Sequence, residues 1–280
     1  MIQEKIRNLV DLALREDIGD GDHSSLACIP DGARGRSRLL IKEAGVLAGI
    51  DIAAYVFSRV DSRITLFDCL ADGTNVKSGD TGFIAEGPVQ GLLKSERLVL
   101  NIIQRMSGIA TNTRMYVDAV KPYKARILDT RKTTPGFRAF EKEAVRIGGG
   151  MNHRMGLYDM IMLKDNHIDY AGGIKKAIIK ANEYNKKTKK ELYIVIEARN
   201  PDELEQILEQ GMINRIMLDN FSISDTEKAM KLVGGRYEIE SSGGINLETV
   251  TAYARCGVDY ISVGALTHHI KSLDISLKAI

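Results

Sequence analysis

Arg131, Lys132, Arg138, Arg154 and Lys164 lie in the part of this 280-residue chain where positive charge is concentrated. They fall in three short segments. These are Asp129-Thr-Arg-Lys-Thr-Thr-Pro-Gly-Phe-Arg138, Gly148-Gly-Gly-Met-Asn-His-Arg154 and Leu163-Lys-Asp-Asn-His167. From Arg126 to Lys164 there are eight Lys/Arg and four Asp/Glu, a local balance of +4; the whole chain carries +2, so the remainder sums to −2. Arginine grips carboxylate or phosphate through two parallel hydrogen bonds, and lysine acts as a point charge. Nearby glycines let backbone approach a ligand closely. A solvated basic face would instead pair its cations with Glu at helical spacing, and Phe137 to Ile147 alone fits that pattern. The stretch reads as a clamp for a small, multiply anionic molecule.

The elements that position this clamp follow from periodicity. After Lys124, apolar runs of strand length alternate with helix-length segments. The runs are Ala125–Asp129, Met160–Leu163, Leu192–Ile196, Arg215–Leu218, Tyr237–Glu240 and Val258–Val263. Phe137, Phe140, Ala144 and Ile147 stripe one intervening helix, and Leu204, Ile207 and Leu208 another. Six βα units predict a parallel sheet with helices outside, either a barrel or a doubly wound sheet. Each run ends in polar residues or glycine: Thr130-Arg131, Lys164-Asp165, Glu197, Asp219-Asn220, Ser241-Ser-Gly-Gly244 and Gly264-Ala265. In a barrel those ends gather at one mouth, where active sites sit.

That mouth would hold the cations, two carboxylates and two glycine-bearing turns. Gly243-Gly244 is expected to open a helix at Ile245, and Gly264-Ala-Leu-Thr267 follows the last strand. Late barrel turns commonly bind phosphate through backbone N–H groups. Glu197 and Asp219 would meet ribose hydroxyls or hold Mg²⁺ through oxygen; the bland reading is that they neutralise nearby lysines. A phosphate end, a ribose-like middle, a metal and a second anion fit phosphoribosyl transfer.

The earlier part of the chain reads differently. Ile2, Ile6, Leu9, Val10, Ala13 and Leu14 predict a helix to about Arg15. Glu16 to Ser25 is acidic and glycine-bearing but lacks calcium-loop spacing, so a turn held by Asp and Ser side chains is expected. Ser37–Lys42 and Thr81–Glu86 read as strands, Ile50–Val60 as a helix and Ala71–Asp80 as turns. Lys94 to Tyr123 is helical, with a break expected at Ser107-Gly108 and resumption from Thr111 to Val120. Arg97 and Arg105 would lie about 12 Å apart along one side of it. The Asn185–Lys190 run is expected to be a solvated linker.

Composition bounds the function. Focused rather than spread positive charge argues against a nucleic-acid binder. Cys28, Cys69 and Cys256 form no Cys-x-x-Cys pair, so neither a disulfide framework nor zinc is expected. The charged start, Met1-Ile-Gln-Glu-Lys, is no signal peptide, and no apolar run of membrane length exists. A soluble, cytoplasmic protein is expected. A barrel isomerase or aldolase using the late phosphate turns alone, and an anion-binding regulator, are the competing classes.

The motifs together resemble a known family. Glu16-Asp-Ile-Gly-Asp-Gly-Asp22, Ser95-Glu-Arg97, Met106-Ser-Gly-Ile-Ala-Thr111, Asp129-Thr-Arg-Lys-Thr-Thr-Pro-Gly136, Gly148–Arg154, Leu163–His167, Leu218-Asp-Asn220, Glu240-Ser-Ser-Gly-Gly244 and Val263-Gly-Ala-Leu-Thr-His268 are similar to those of the decarboxylating quinolinate phosphoribosyltransferases. The resemblance runs over nearly the whole chain in order. It implies an N-terminal α/β sandwich domain over 1–110, to which 271–280 returns, and an incomplete, about seven-stranded α/β barrel over 111–270. It implies a homodimer or higher homo-oligomer with Arg97 donated across the interface. The substrates would be quinolinate and phosphoribosyl pyrophosphate, with Mg²⁺, in NAD synthesis. Quinolinate would meet Arg97, Arg131, Arg154 and Lys164, with Thr130, Lys132 and His153 nearby. Glu197 and Asp219 would serve ribose and metal. Ser242, Gly243, Gly244, Val263, Gly264, Ala265 and His268 would take the 5′-phosphate. Lys132, Lys164, Glu197 and Asp219 are the expected catalytic set, the lysines stabilising charge rather than forming covalent bonds. A molybdenum-operon relative with another substrate is the nearest alternative within the superfamily.

Overall fold

The computed structural model describes residues 4–280, so Ile2 and the expected Met1–Gln3 start lie outside the described residues. The described residues divide into two compact units: 4–114, 133–149 and 266–280 form one, and 115–132 and 150–265 the other.

The first unit contains α1 (Glu4–Ile18), α2 (His23–Cys28), β1 (Arg34–Ile41), β2 (Gly45–Val46), α3 (Ile50–Val60), β3 (Thr65–Phe67), β4 (Asn75–Val76) and β5 (Thr81–Pro88). It also takes most of α4 (Val89–Val120), and its sheet is completed by a strand at the chain's end, Ile275–Ala279. That antiparallel sheet runs from the C-terminal strand to β1, β5 and β3. Alternation in β1 buries Ser37, Leu39 and Ile41 on one face, the period-2 pattern of a half-buried strand. Ile52, Ala53, Val56 and Phe57 form the buried stripe of α3, and Phe57 meets Phe83 edge to face with centroids 5.9 Å apart. The two turn-rich segments are held by side chains as expected. Asp22 caps α2 by accepting from Ser25 N. Asp72 Oδ1 accepts from Gly49 N at 2.8 Å and Ile50 N at 3.0 Å, which starts α3.

Helix α4 is unbroken through Ser107-Gly108, contrary to the break expected there. The glycine serves packing instead. A Cβ on Gly108 would sit 2.3 Å from the carbonyl oxygen of Lys271, so only glycine lets the returning C-terminal segment lie against the helix. Ser107 Oγ accepts from Ala48 N at 2.9 Å, a second long-range tie at the same turn.

The parallel unit contains β6 (Arg126–Leu128), β7 (Ile161–Leu163), α6 (Asp165–Ala171), α7 (Ile174–Thr188), β8 (Ile194–Ala198), α8 (Pro201–Gln210), β9 (Arg215–Asp219), α9 (Ile223–Val233), β10 (Glu238–Ser242), α10 (Val250–Arg255) and β11 (Tyr260–Ser262). The short α11 (Ala265–His268) follows, and β12 is the C-terminal strand of the first sheet. The strand order is β6-β11-β10-β9-β8-β7, parallel throughout. A one-residue parallel bridge, Leu128↔Met151, extends the β6 edge. Six strands plus that bridge make the incomplete barrel, and all six apolar runs became strands. Residues Ile194–Ala198 are buried throughout β8, as both faces of a covered parallel sheet require. Each such aliphatic side chain contributes roughly 1.5–3 kcal/mol by leaving water.

Three local expectations are corrected. The striped helix α5 (Arg138–Ile147) belongs to the first unit rather than to the barrel helices, because its buried Glu141 pairs with Arg105 of α4 at 2.6 Å. Of the Asn185–Lys190 run, residues 185–188 end α7, Lys189 is its left-handed C-cap, and only Lys190 lies beyond, so the run is mostly helix end rather than linker. Cations are favoured at a helix C-terminus by the dipole, and Lys186 and Lys187 are exposed there as expected. The helix after Gly243-Gly244 starts at Val250; before it, Asn246 Oδ1 accepts from Glu248 N and Thr249 N in a tight turn.

Candidate active site

Parallel register carries the predicted residues to one end of the sheet. Leu163 pairs with Ile196, Ala198 with Leu218, Ser242 with Asp219 and Ser262 with Leu128. The residues that follow these pairs therefore share a rim. Thr130, Arg131, Lys132, His153, Arg154, Lys164, Glu197, Asp219, Ser242, Gly243, Gly244, Val263, Gly264 and Ala265 all belong to the parallel unit. Arg97, Arg138 and His268 belong to the first unit. There Arg138 donates to Thr133 Oγ1 at 2.9 Å, and His268 Nδ1 lies 2.6 Å from His269 Nδ1. Arg97 is exposed on α4.

The cations meet. Arg154 is 8% exposed, and its Nη1 donates to Met160 O at 3.3 Å. Burial, and then the charge of Arg131, push its pKa below the ordinary arginine value, while Asp159 and Glu197 oppose the shift. A partly buried guanidinium that feels the charge of a second one would be relieved by an anion placed beside both. Lys164 Nζ pairs with Glu197 Oε1; the carboxylate is buried and the lysine half exposed. Lys132 is exposed, and its N–H donates to Thr130 Oγ1 at 3.0 Å, which shapes the turn after β6.

The glycine turn stands beside the carboxylates. Asn220 N donates to Ser242 O at 2.8 Å, joining the ends of β9 and β10. Gly243 has φ +95, and a Cβ there would lie 2.2 Å from Asn220 Oδ1. Glycine at 243 keeps the turn closed against Asn220 and its backbone bare. Asp219 is partly exposed and accepts from Asn220 Nδ2 at 2.9 Å. Val263 N donates to Leu128 O at 3.0 Å, which seats the last strand end beside the Asp129–Lys132 segment.

His153 is set further inside than the sequence reading placed it. The ring is buried; Nδ1 accepts from Arg154 N at 2.7 Å, and Nε2 lies 3.3 Å from Glu240 Oε2. Asp129, wholly buried, accepts from His153 N at 2.8 Å and so anchors the 148–154 segment. Asp129 and Glu240 were visible as members of motifs, but nothing in the sequence distinguished them from residues that face a ligand. The Arg105–Glu141 pair had no sequence signal, because its members are 36 residues apart.

The fold is that of an α/β-barrel enzyme, with cations and carboxylates collected at the strand C-termini. Residues 22–107 match the family model for the N-terminal domain of quinolinate phosphoribosyl transferase, and residues 109–278 match that for its C-terminal domain. The chain belongs to this family. It is 43% identical to quinolinate phosphoribosyltransferase [decarboxylating] 1b of Nicotiana tabacum, over 98% of this chain and 82% of that one. It is 40% identical to the nicotinate-nucleotide pyrophosphorylase [carboxylating] of Mycobacterium leprae, over 97% and 96% of the two chains. The structure of the nicotinate-nucleotide pyrophosphorylase from Francisella tularensis superposes with a TM-score of 0.93 at 38% identity, covering 100% of this chain and 98% of that one.

Proposed function

We propose that this chain transfers the phosphoribosyl group of phosphoribosyl pyrophosphate to quinolinate, releasing pyrophosphate and CO₂ and forming nicotinate mononucleotide for NAD synthesis. The observation that carries this reading is the meeting of Arg131, Arg154 and the Lys164–Glu197 pair in one unit. A dianionic ring needs that many cations, and an uncharged or singly anionic ring does not. Arg131 and Arg154 hold the two carboxylates, and Thr130 and Lys132 border the ring. Glycines 243, 244 and 264, with Ser242, Val263 and Ala265, receive the 5′-phosphate.

Chemistry follows from the charges. The clamp aims the pyridine nitrogen at the ribose carbon, and orientation of this kind supplies much of the rate. The nitrogen–carbon bond forms as the bond to pyrophosphate breaks. The ring nitrogen is then positive, so the electron pair left by the departing adjacent carboxylate settles into the ring, and a proton takes that position. Lys132 and Lys164 stabilise charge without covalent attachment, so borohydride trapping should label neither.

Glu197 and Asp219 stand on neighbouring strands and offer oxygen donors, which suits Mg²⁺. Among the described residues no group of three or more His, Cys, Asp or Glu could hold a metal by itself. Two carboxylates fit an ion that arrives with a phosphorylated substrate. When bound, Mg²⁺ would neutralise pyrophosphate charge.

The same reading makes the enzyme a homodimer or a higher homo-oligomer, with Arg97 reaching the site of another protomer. Arg97 is exposed and has no hydrogen bond or ion pair among the described residues. No helix of the described residues is long and apolar enough to cross a membrane. Three cysteines without a disulfide fit a cytoplasmic setting. The test is a comparison of quinolinate with nicotinate as acceptor. Turnover with quinolinate alone is expected; preference for nicotinate would reject the assignment.

A further inference from the structure

Glu240 opens the Glu240-Ser-Ser-Gly-Gly244 motif, yet the proposed reaction uses only the residues after it. Its side chain is fully buried inside the barrel. On one side Arg215 Nη1 approaches Glu240 Oε2 at 3.1 Å, and on the other His153 Nε2 lies 3.3 Å from the same oxygen. Arg215 is itself held at the opposite end of the sheet, 3.0 Å from Glu238 and with its guanidinium 3.8 Å from the Tyr260 ring centroid. A continuous line of polar contacts thus runs through the barrel from Arg215 to Glu240 to His153 and on to the backbone of Arg154.

The direction of each bond gives the line a purpose. His153 Nδ1 accepts from the Arg154 N–H, so that nitrogen carries no proton. A neutral ring then bears its proton on Nε2, facing Glu240. A protonated ring would have donors on both nitrogens and would lose the bond to Arg154. Burial alone would raise the Glu240 carboxyl, but His153, the Ser262 hydroxyl and Arg215 together hold it below the usual range. The carboxylate therefore stays charged and orients the ring.

We propose that Glu240 is a positioning residue that fixes His153 in its Nε2–H form and thereby sets the backbone at Arg154, and with it the guanidinium that receives quinolinate. The inference rests on the proposed function for the identity of the ligand alone; the tautomer concerns the free protein. Carboxylates that orient metal-bound histidines change affinity about 10- to 100-fold when removed, and an effect at the lower end of that range is expected here.

Selective ¹⁵N labelling of histidine tests it, since the chain has five histidines. A His153→Asn variant assigns the signal. In the free enzyme at neutral pH the His153 shifts should show a neutral ring protonated on Nε2; a Nδ1–H or doubly protonated ring would overturn the proposal without any variant of Glu240. In Glu240→Gln the one atom that meets both Arg215 and His153 becomes an uncharged amide oxygen or an NH₂, so the hold on the Nε2–H ring weakens and the Nδ1–H form should become populated. Quinolinate dissociation should then weaken about tenfold, with phosphoribosyl pyrophosphate binding unchanged. Ile239→Val, one residue along β10 on the other face, controls for lost stability: its denaturation midpoint should fall with quinolinate affinity unaltered. Equal loss of quinolinate affinity in both variants, or none in Glu240→Gln, would overturn the proposal.

Discussion

Lys164 is paired before substrate arrives. Its ammonium holds the buried Glu197 carboxylate, so an incoming carboxylate must take the lysine over. Replacing Glu197 by Gln should therefore act in opposite directions on binding and turnover. Quinolinate affinity should rise a few-fold, since an ion pair of this partly exposed kind contributes about 1 kcal/mol at most. Turnover should fall by about 10²-fold as a transition-state contact is lost. Calorimetry and steady-state rates separate the two; weaker quinolinate binding in Glu197→Gln would contradict the exchange. Arg154 gives a second contrast. It is buried and feels the repelling charge of Arg131, so its charge costs stability. Arg154→Met should keep or raise the denaturation midpoint while weakening quinolinate by at least about 10²-fold, or about 2.7 kcal/mol. An unfolded variant, or one that binds normally, would show that the arginine is structural. These residues were legible in part: Arg131 and Arg154, grouped by the sequence, feel one another's charge, whereas Arg138 of the same stretch lies in the other unit. Their supports, Asp129 and Glu240, were not, because a buried acid and a ligand-facing acid look alike until the fold gives each its partners.

Elements were most legible where period and turn chemistry agreed. The six apolar runs became the six parallel strands, and Ile50–Val60 became α3 with the expected ends. Misreadings arose where glycine had two meanings. Gly108 is a helix breaker by propensity, yet α4 continues through it because the chain end passes within contact of its Cα. The two effects predict opposite outcomes for Gly108→Ala. Helix propensity alone would stabilise by about 1 kcal/mol, whereas a Cβ 2.3 Å from the Lys271 carbonyl overpacks a rigid backbone at about 1–3 kcal/mol or more. The clash should win, and thermal melting should fall by several degrees; a rise would contradict the packing role. Gly243→Ala meets both a left-handed φ and Asn220. It should raise the KM for phosphoribosyl pyrophosphate at least about tenfold while leaving quinolinate binding intact. Equal loss of both ligands would argue against a phosphate role for that turn. The assignment of α5 to the first unit was not legible, since an amphipathic stripe reports that a face is buried but not against what.

At the scale of the whole molecule, the account predicts sites completed by a second protomer. Arg97→Ala and Arg131→Ala should each be nearly inactive alone. Mixed after dissociation and reassociation, they should recover about a quarter of wild-type activity, because half of the dimers then hold one intact site. No recovery, with mixed dimers demonstrated, would place Arg97 outside its partner's site. The central claim is decarboxylating phosphoribosyl transfer, and one measurement bears on it most directly. Quinolinate labelled in the carboxylate adjacent to the ring nitrogen is supplied with phosphoribosyl pyrophosphate and Mg²⁺, and labelled CO₂, pyrophosphate and nicotinate mononucleotide are counted. The account predicts equal amounts of all three, with no release when phosphoribosyl pyrophosphate is omitted. Pyrophosphate without labelled CO₂, or no turnover by folded protein, would contradict it.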